Sequence, residues 1–183
     1  MTWGLPVSVD VGGTKYAVRT DYRVILDILS AVADPELTGQ EKSYVALVAF
    51  YPDFEEMPQE VYREALEACF RFINCDSEEA PHKAPKLVDW EQDYRLIIAP
   101  INRVAGQEVR ALDYMHWWTF LSAYYEIGDC TFAQVVRIRD HLARGKKLDK
   151  SDREWYQKNR QLVDFKHKYT EKEEDLLREW SGA

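Results

Sequence analysis

The sequence predicts a mainly α protein in which an N-terminal β-hairpin is followed by a multi-helix bundle. Three observations predict this fold class: apolar and polar residues alternate only near the N-terminus, apolar residues recur at helical spacing afterwards, and capping residues separate the helical segments. The chain has 183 residues, of which 46% are hydrophobic, so it can bury a sizeable core. Its length is typical of one domain and permits two small ones.

The hairpin is predicted by a short stretch of strict alternation. Valines alternate with polar residues over residues 7–11, and Tyr16 and Val18 continue the alternation after Gly12-Gly13. Glycine tolerates the positive φ angles that a two-residue turn requires, so the glycine pair marks the turn.

Three helices are predicted between the hairpin and residue 75. The first spans residues 20–33 with Thr20 as its cap, and the second follows the capping-box pair Thr38 and Glu41. Proline suits a first helical turn, so the third helix begins at Pro58. Its apolar residues are Val61, Ala65, Leu66, Cys69, Phe70 and Ile73.

Residues 76–85 (DSEEAPHKAP) are predicted to form a linker, because they contain two prolines and mixed charge. The predicted organisation is therefore a hairpin with helices over residues 1–75, this linker, and a helical region over residues 86–183. A single continuous domain is the alternative.

The helical region begins with a helix that starts near Trp90 and ends at Gly106. A kink or break is expected at Pro100, because proline removes a backbone hydrogen bond inside a helix. A strongly aromatic helix is predicted over residues 112–127, and Thr131 is the expected cap of the helix that follows.

Two further capping-box patterns predict the last two helices. Ser151 pairs with Glu154, and Thr170 pairs with Glu173, at the spacing that satisfies two amides of a first helical turn.

The composition predicts a soluble, intracellular protein. The formal net charge is −8, and no apolar run approaches the ~20 residues of a membrane span. The N-terminus lacks the basic and apolar regions of a secretory signal. Three cysteines do not form a disulfide framework, and the four histidines complete no metal-ligand pattern with them. No metal, cofactor or membrane partner is therefore expected.

Residues 10–15 (DVGGTK) resemble the phosphate-binding hairpin of actin-like sugar kinases, in which glycine amides approach an anion. That fold needs strands and helices in alternation, which the remaining sequence does not predict. A plain hairpin turn explains the same residues. No Ser/His/Asp or Cys/His arrangement can be assembled either, so no catalytic residue is assigned and the chain is not expected to be an enzyme.

Charge is distributed unevenly along the chain. Residues 131–168 contain 11 basic and 5 acidic residues, a net charge of +6, whereas the remainder carries −14. Such asymmetry is typical of a polarised surface that steers an acidic partner or another copy of the chain. Solvated helix faces explain it equally well, and nucleic-acid binding is disfavoured because no groove-reading motif is present.

Trp117 and Trp118 are adjacent in the predicted aromatic helix, so their side chains point about 100° apart. One is expected in the core and the other at its edge or in a partner's groove. Tryptophan is enriched at binding hot spots, which makes the more exposed member a candidate anchor.

Several short segments, in this order, resemble the bacteriophage gene-product-fifteen family of long-tailed phages and prophages of Gram-positive bacteria. The segments are residues 115–120 (MHWWTF), 126–132 (EIGDCTF), 136–139 (VRIR) and 145–148 (GKKL), followed by Trp155-Tyr156. Each segment alone is a weak signal, and their combination is specific. The resemblance is clearest over residues 86–165.

The resemblance implies a role in tail morphogenesis, because genes of this family lie between those of the major tail protein and the tape-measure protein. That position is typical of tail assembly chaperones, which keep the long tape-measure helix soluble. The expected partner is the tape-measure protein, in the host cytoplasm during assembly, with the major tail protein and self-association as further candidates. A structural tail component and a nucleic-acid-binding helical regulator are the alternatives. The predicted partner-binding residues are Trp117, Trp118, Arg137, Arg139, Lys146 and Lys147.

Overall fold

The computed structural model describes residues 4–76 and 85–166. These residues form two compact units, one within each range. The predicted linker at residues 76–85 lies almost entirely outside the described residues, so the predicted domain division stays a prediction. The mainly α fold class is confirmed, because a two-stranded sheet precedes eight α-helices in the described part of the chain.

The first unit contains strands β1 (Ser8–Val11) and β2 (Thr14–Ala17) and helices α1 (Tyr22–Ala33), α2 (Gly39–Phe50) and α3 (Tyr62–Ile73). The second unit contains α4 (Trp90–Ala105), α5 (Trp117–Tyr125), α6 (Thr131–Ala143), α7 (Lys150–Lys158) and α8 (Arg160–Val163). Short 3-10 turns occupy Phe54–Glu56, Gln59–Val61 and Val109–Ala111.

The predicted hairpin is confirmed. β1 and β2 pair antiparallel, with Val11 opposite Thr14. The two residues between the strands, Gly12 and Gly13, have φ angles of 59° and 77°. A two-residue turn with positive φ at both positions matches the twist of the strands, and a side chain there costs about 1–2 kcal/mol per residue.

In the first unit α2 contacts both α1 and α3, and α3 also contacts β1. The core between these elements is formed by Val11, Ile25, Ile28, Leu47, Phe50, Cys69 and Phe72, each at most 4% exposed. Arg19 closes the carboxyl end of α2, because its guanidinium donates to the carbonyl oxygens of Val48 and Ala49 at 2.8 and 2.9 Å. A cation at this end also favours the helix dipole.

The caps of the first unit agree only in part with the sequence. The capping box is confirmed, since Glu41 N–H donates to Thr38 Oγ1 at 3.3 Å and Thr38 N–H donates to the Glu41 carboxylate at 2.8 Å. For α1 the predicted cap Thr20 is wrong, and Asp21 accepts from the Arg23 amide at 2.9 Å instead. Threonine ranks below aspartate as a cap residue.

In the second unit α4 runs without a break through Pro100, which is buried. Proline removes the hydrogen bond to the carbonyl of Leu96, and burial of the neighbouring Ile97 and Ile101 offsets that loss. The predicted stop at Gly106 is confirmed by its φ angle of 68°.

The aromatic helix is shorter than predicted. It begins at Trp117 and not at residue 112, because the His116 side chain caps it by accepting from the Trp118 amide at 3.0 Å. The next helix is capped by Cys130, whose Sγ accepts from the Ala133 amide at 3.4 Å, so Thr131 is a helical residue and not the cap.

The cap predicted for α7 is also wrong. Asp149 caps this helix by accepting from the Asp152 amide at 2.8 Å, and Ser151 lies inside the first turn. The capping box predicted at Thr170 and Glu173 lies outside the described residues.

The second unit buries two adjoining clusters. Aromatic rings from α4, α5 and α6 pack together. The centroid of the Trp117 ring lies 5.9 Å from that of Trp90 and 5.8 Å from that of Phe120. A second cluster lies under α6, α7 and α8 and consists of Val135, Ile138, Leu148 and Val163. These clusters set the rotation of α5 and α6, and so decide which side chains reach the surface.

Candidate functional site

The outward side of α6 lines a cleft of about 480 Å³. Its lining residues are Asp129, Cys130, Ala133, Gln134 and Arg137. The last four recur at the spacing of one helix face, and each is at least partly exposed. The cleft is therefore a polar surface feature with a single guanidinium at one end.

Arg137, a predicted partner-binding residue, lies at this cleft. Its guanidinium makes a bidentate ion pair with Asp152, in which its two terminal nitrogens donate to the two carboxylate oxygens at 2.7 and 2.8 Å. The Asp152 side chain is 5% exposed, whereas the Arg137 side chain is 51% exposed. Arg137 therefore joins α6 to the start of α7 and still presents half of its surface to solvent.

Lys146 and Lys147 lie in the turn between α6 and α7. Gly145 has a φ angle of 65°, which reverses the direction of the chain after α6. The Gly145 amide donates to the Leu142 carbonyl oxygen at 3.1 Å, and the Lys146 amide donates to the His141 carbonyl oxygen at 2.8 Å. This pairing is a Schellman motif, which holds a helix end in one geometry. Within residues 4–76 and 85–166 neither lysine makes an ion pair, and both are exposed.

Arg139, another predicted partner-binding residue, is 4% exposed and belongs to the core. Its guanidinium pairs with Asp93 of α4 at 2.6 and 2.9 Å. It also donates to the carbonyl oxygens of Leu87, Leu162 and Val163 at 2.7–2.9 Å. All five N–H groups of the arginine are therefore used inside the second unit.

The Arg139 cluster also joins the two ends of the second unit. Leu87 lies near its beginning, and Leu162 and Val163 lie near its end. Gln92 strengthens the same junction, because its side chain bonds the carbonyl of Asp164 at 3.0 Å and the amide of Lys166 at 2.9 Å. Arg139 is therefore structural in this arrangement.

The two tryptophans differ, as the helical spacing predicted. Trp117 is 1% exposed within the aromatic cluster. Trp118 is partly exposed, and its ring meets the His116 ring edge-on at 6.2 Å between centroids. Partner binding by Trp118 stays a prediction.

Sequence reasoning missed a surface on the first unit. Tyr44 and Val48, one turn apart on α2, are 61% and 39% exposed, and the Tyr44 ring meets the Phe54 ring edge-on at 5.6 Å. Glu55 and Glu56 follow Phe54 in the same 3-10 turn, are exposed, and make no ion pair among the described residues. We name Tyr44, Val48, Glu55 and Glu56 the α2 patch. Apolar residues on more than one side of α2 were the signal in the sequence.

The hairpin turn is not open to an anion. The Gly12 amide donates to the Glu64 carboxylate at 2.7 Å, and the Gly13 amide donates to the Asp10 carboxylate at 3.1 Å. Carboxylates of the chain itself thus occupy the two amides that a phosphate group would need. The geometry favours the plain turn over the kinase-like interpretation.

Ionisable groups with shifted pKa values have structural causes. Burial raises the pKa of the Cys69 thiol to about 12 and that of the Tyr124 hydroxyl to about 12. Hydrogen bonds from Arg110 lower the pKa of the Glu108 carboxyl to about 2. Among the described residues no cluster of histidine, cysteine or acidic side chains has the arrangement of a metal site.

None of the described helices is long and apolar enough to cross a membrane. The described residues thus define a helical protein with an exposed turn that carries Lys146 and Lys147, a polar cleft on α6, and the α2 patch. The class of protein follows from comparison with known families. The profile of the family described as bacteriophage Gp15 protein matches residues 1–165, and the chain belongs to this family. No curated protein and no solved structure matches the chain.

Proposed function

We propose that this bacteriophage protein acts in tail morphogenesis, as a non-catalytic tail assembly chaperone that binds the tape-measure protein in the host cytoplasm. The observation that carries the proposal is membership of the bacteriophage Gp15 family over residues 1–165. The family resemblance implies a gene position beside the tape-measure gene, which is where tail assembly chaperones are encoded.

The surface of the second unit supports binding of a helical client. A protein that receives an amphipathic helix needs apolar anchors within a polar rim. Of the six predicted partner-binding residues, Trp118, Arg137, Lys146 and Lys147 reach the surface, whereas Trp117 and Arg139 are buried. We therefore assign client contact to the four accessible residues, with Trp118 as the anchor.

Co-expression with the tape-measure protein tests the proposal. The expected result is that the tape-measure protein becomes soluble and co-purifies with this chain. Trp118→Ala should weaken capture by about 1 kcal/mol or more, the threshold that separates hot-spot residues from neutral contacts. Tyr125→Ala is the matched control, because Tyr125 is an aromatic residue of the same helix and is 73% exposed.

A thermal unfolding curve for each variant separates lost contact from lost fold. Equal capture by both variants, with both folded, would remove Trp118 from the binding surface. An insoluble and unbound tape-measure protein would contradict the chaperone function itself. Recovery of this chain from purified phage particles would then favour the alternative of a structural tail component.

A further inference from the structure

Two exposed surfaces of this chain each combine apolar and charged side chains, and their charges are opposite. The first is the α2 patch, in which Tyr44 and Val48 are exposed on α2. The Tyr44 ring contacts Phe54, and the exposed Glu55 and Glu56 follow Phe54 in the same 3-10 turn. Both carboxylates lack an ion pair among the described residues. A cationic surface with an apolar centre is the complement that this patch requires.

The second surface lies at the end of α6. Leu142 is 42% exposed there, and Lys146 and Lys147 follow it in the Schellman turn. We name these three residues the basic turn. The lysines lack an ion pair in the described part of the chain, and the backbone hydrogen bonds of the turn hold it in one conformation. Little ordering entropy is therefore lost when the basic turn binds a partner.

We infer that the α2 patch of one copy of this chain binds the basic turn of a second copy. Each surface combines exposed apolar side chains with two charges of one sign that make no ion pair among the described residues, and the two signs are opposite. The acidic group near the basic turn, Asp140, is already paired with Arg144. The sequence segments that contain the two surfaces also have opposite net charge. Residues 4–76 contain 13 acidic and 6 basic residues, whereas residues 131–168 contain 5 acidic and 11 basic residues. The side chains of both surfaces are exposed, so they are accessible to a second molecule.

The contact joins two different surfaces, so each bound pair leaves one α2 patch and one basic turn open. Such head-to-tail contacts build rings where the rotation closes and filaments where it does not. Surfaces with few apolar side chains belong to the small, weak class of interfaces. Association is therefore expected to depend on concentration and to weaken with added salt, because exposed charges are screened within about 8 Å at physiological ionic strength.

The test uses the full-length chain alone, in sedimentation velocity over a series of concentrations at low and high salt. Two double variants reverse the charges: Lys146→Glu with Lys147→Glu, and Glu55→Lys with Glu56→Lys. Each variant by itself should associate at least about tenfold more weakly than the unaltered chain, because attraction becomes repulsion at two charge pairs. A variant that combines Lys15→Glu with Lys158→Glu makes the same change in net charge at two other exposed lysines and should associate normally.

The decisive sample is the equimolar mixture of the two double variants. Each surface of one variant then meets an oppositely charged surface of the other, so association should return towards that of the unaltered chain. Monomers at every concentration, association unaffected by both reversals, or a mixture that does not associate would each overturn the inference. No tape-measure protein is present in this experiment, so its failure leaves the proposed chaperone function standing.

Discussion

Replacement of Arg139 by methionine should destabilise the second unit by about 3–5 kcal/mol, the range for breaking a buried ion pair from one side. The Asp93 and Arg139 side chains are 1% and 3% exposed, so water cannot replace the lost partner. Methionine fills most of the volume and donates no hydrogen bond. The variant therefore leaves a buried carboxylate with one remaining amide donor, from Asp89 at 2.9 Å, and three backbone carbonyls without this partner.

The residue that ends the same helix offers a matched control. Arg144 pairs with Asp140 one turn away, and their side chains are 54% and 26% exposed. Arg144→Met removes an equivalent group on the surface and should cost about 0.3–0.5 kcal/mol, the usual value of an exposed pair on a helix. Burial, and not the presence of an ion pair, then accounts for the difference.

Urea unfolding followed by tryptophan fluorescence measures both free energies of unfolding. The variant that combines Arg139→Met with Asp93→Asn should be more stable than Arg139→Met alone, because it removes the unpaired buried charge. The reasoning is refuted if Arg139→Met and Arg144→Met differ by less than about 1 kcal/mol, since that is the net value of an ordinary hydrogen bond.

Three further predictions follow from local contacts. Thr38→Ala should lower the free energy of unfolding by about 1 kcal/mol through loss of the capping box, as urea titration would show. The Glu108 carboxyl should titrate with a pKa of about 2 when followed by NMR, and Arg110→Ala should raise that pKa. Because the pKa is lowered in the folded state, the stabilising contribution of Glu108 is complete above its ordinary pKa of 4.5 and is lost as the pH falls towards 2. In the native protein a thiol reagent at pH 8 should modify Cys130, whereas the buried Cys69 should react only after unfolding.

Features that depend on a few neighbouring residues were predictable from the sequence. Gly12-Gly13 and the pair Thr38 and Glu41 each satisfy a backbone requirement at a fixed spacing, so the hairpin and the start of α2 were identified correctly. Where several residues in succession can accept a hydrogen bond, the choice between them was not predictable. Asp149 and not Ser151 caps α7, directly after Leu148, which is part of the buried cluster under α6, α7 and α8.

At the candidate site, local sequence patterns also did not predict which side chains are buried. Arg137 and Arg139 are two residues apart on α6, and only the rotation of the helix decides which one is buried. Arg139 lies four residues after Val135 and one after Ile138, so it belongs to the buried face. Its partner Asp93 is 46 residues away, a separation that no local pattern predicts.

The junction of Leu87 and Gln92 with residues 162–166 has a mechanical consequence. A pull on the polypeptide at the two ends of the second unit should act first on the hydrogen bonds of Arg139 and Gln92, because these bonds join the two ends directly. While that junction holds, the side chains of Arg139 on α6 and Gln92 on α4 should carry the tension between the two ends. Once the junction breaks, the helices lie in series and unfold under the same load.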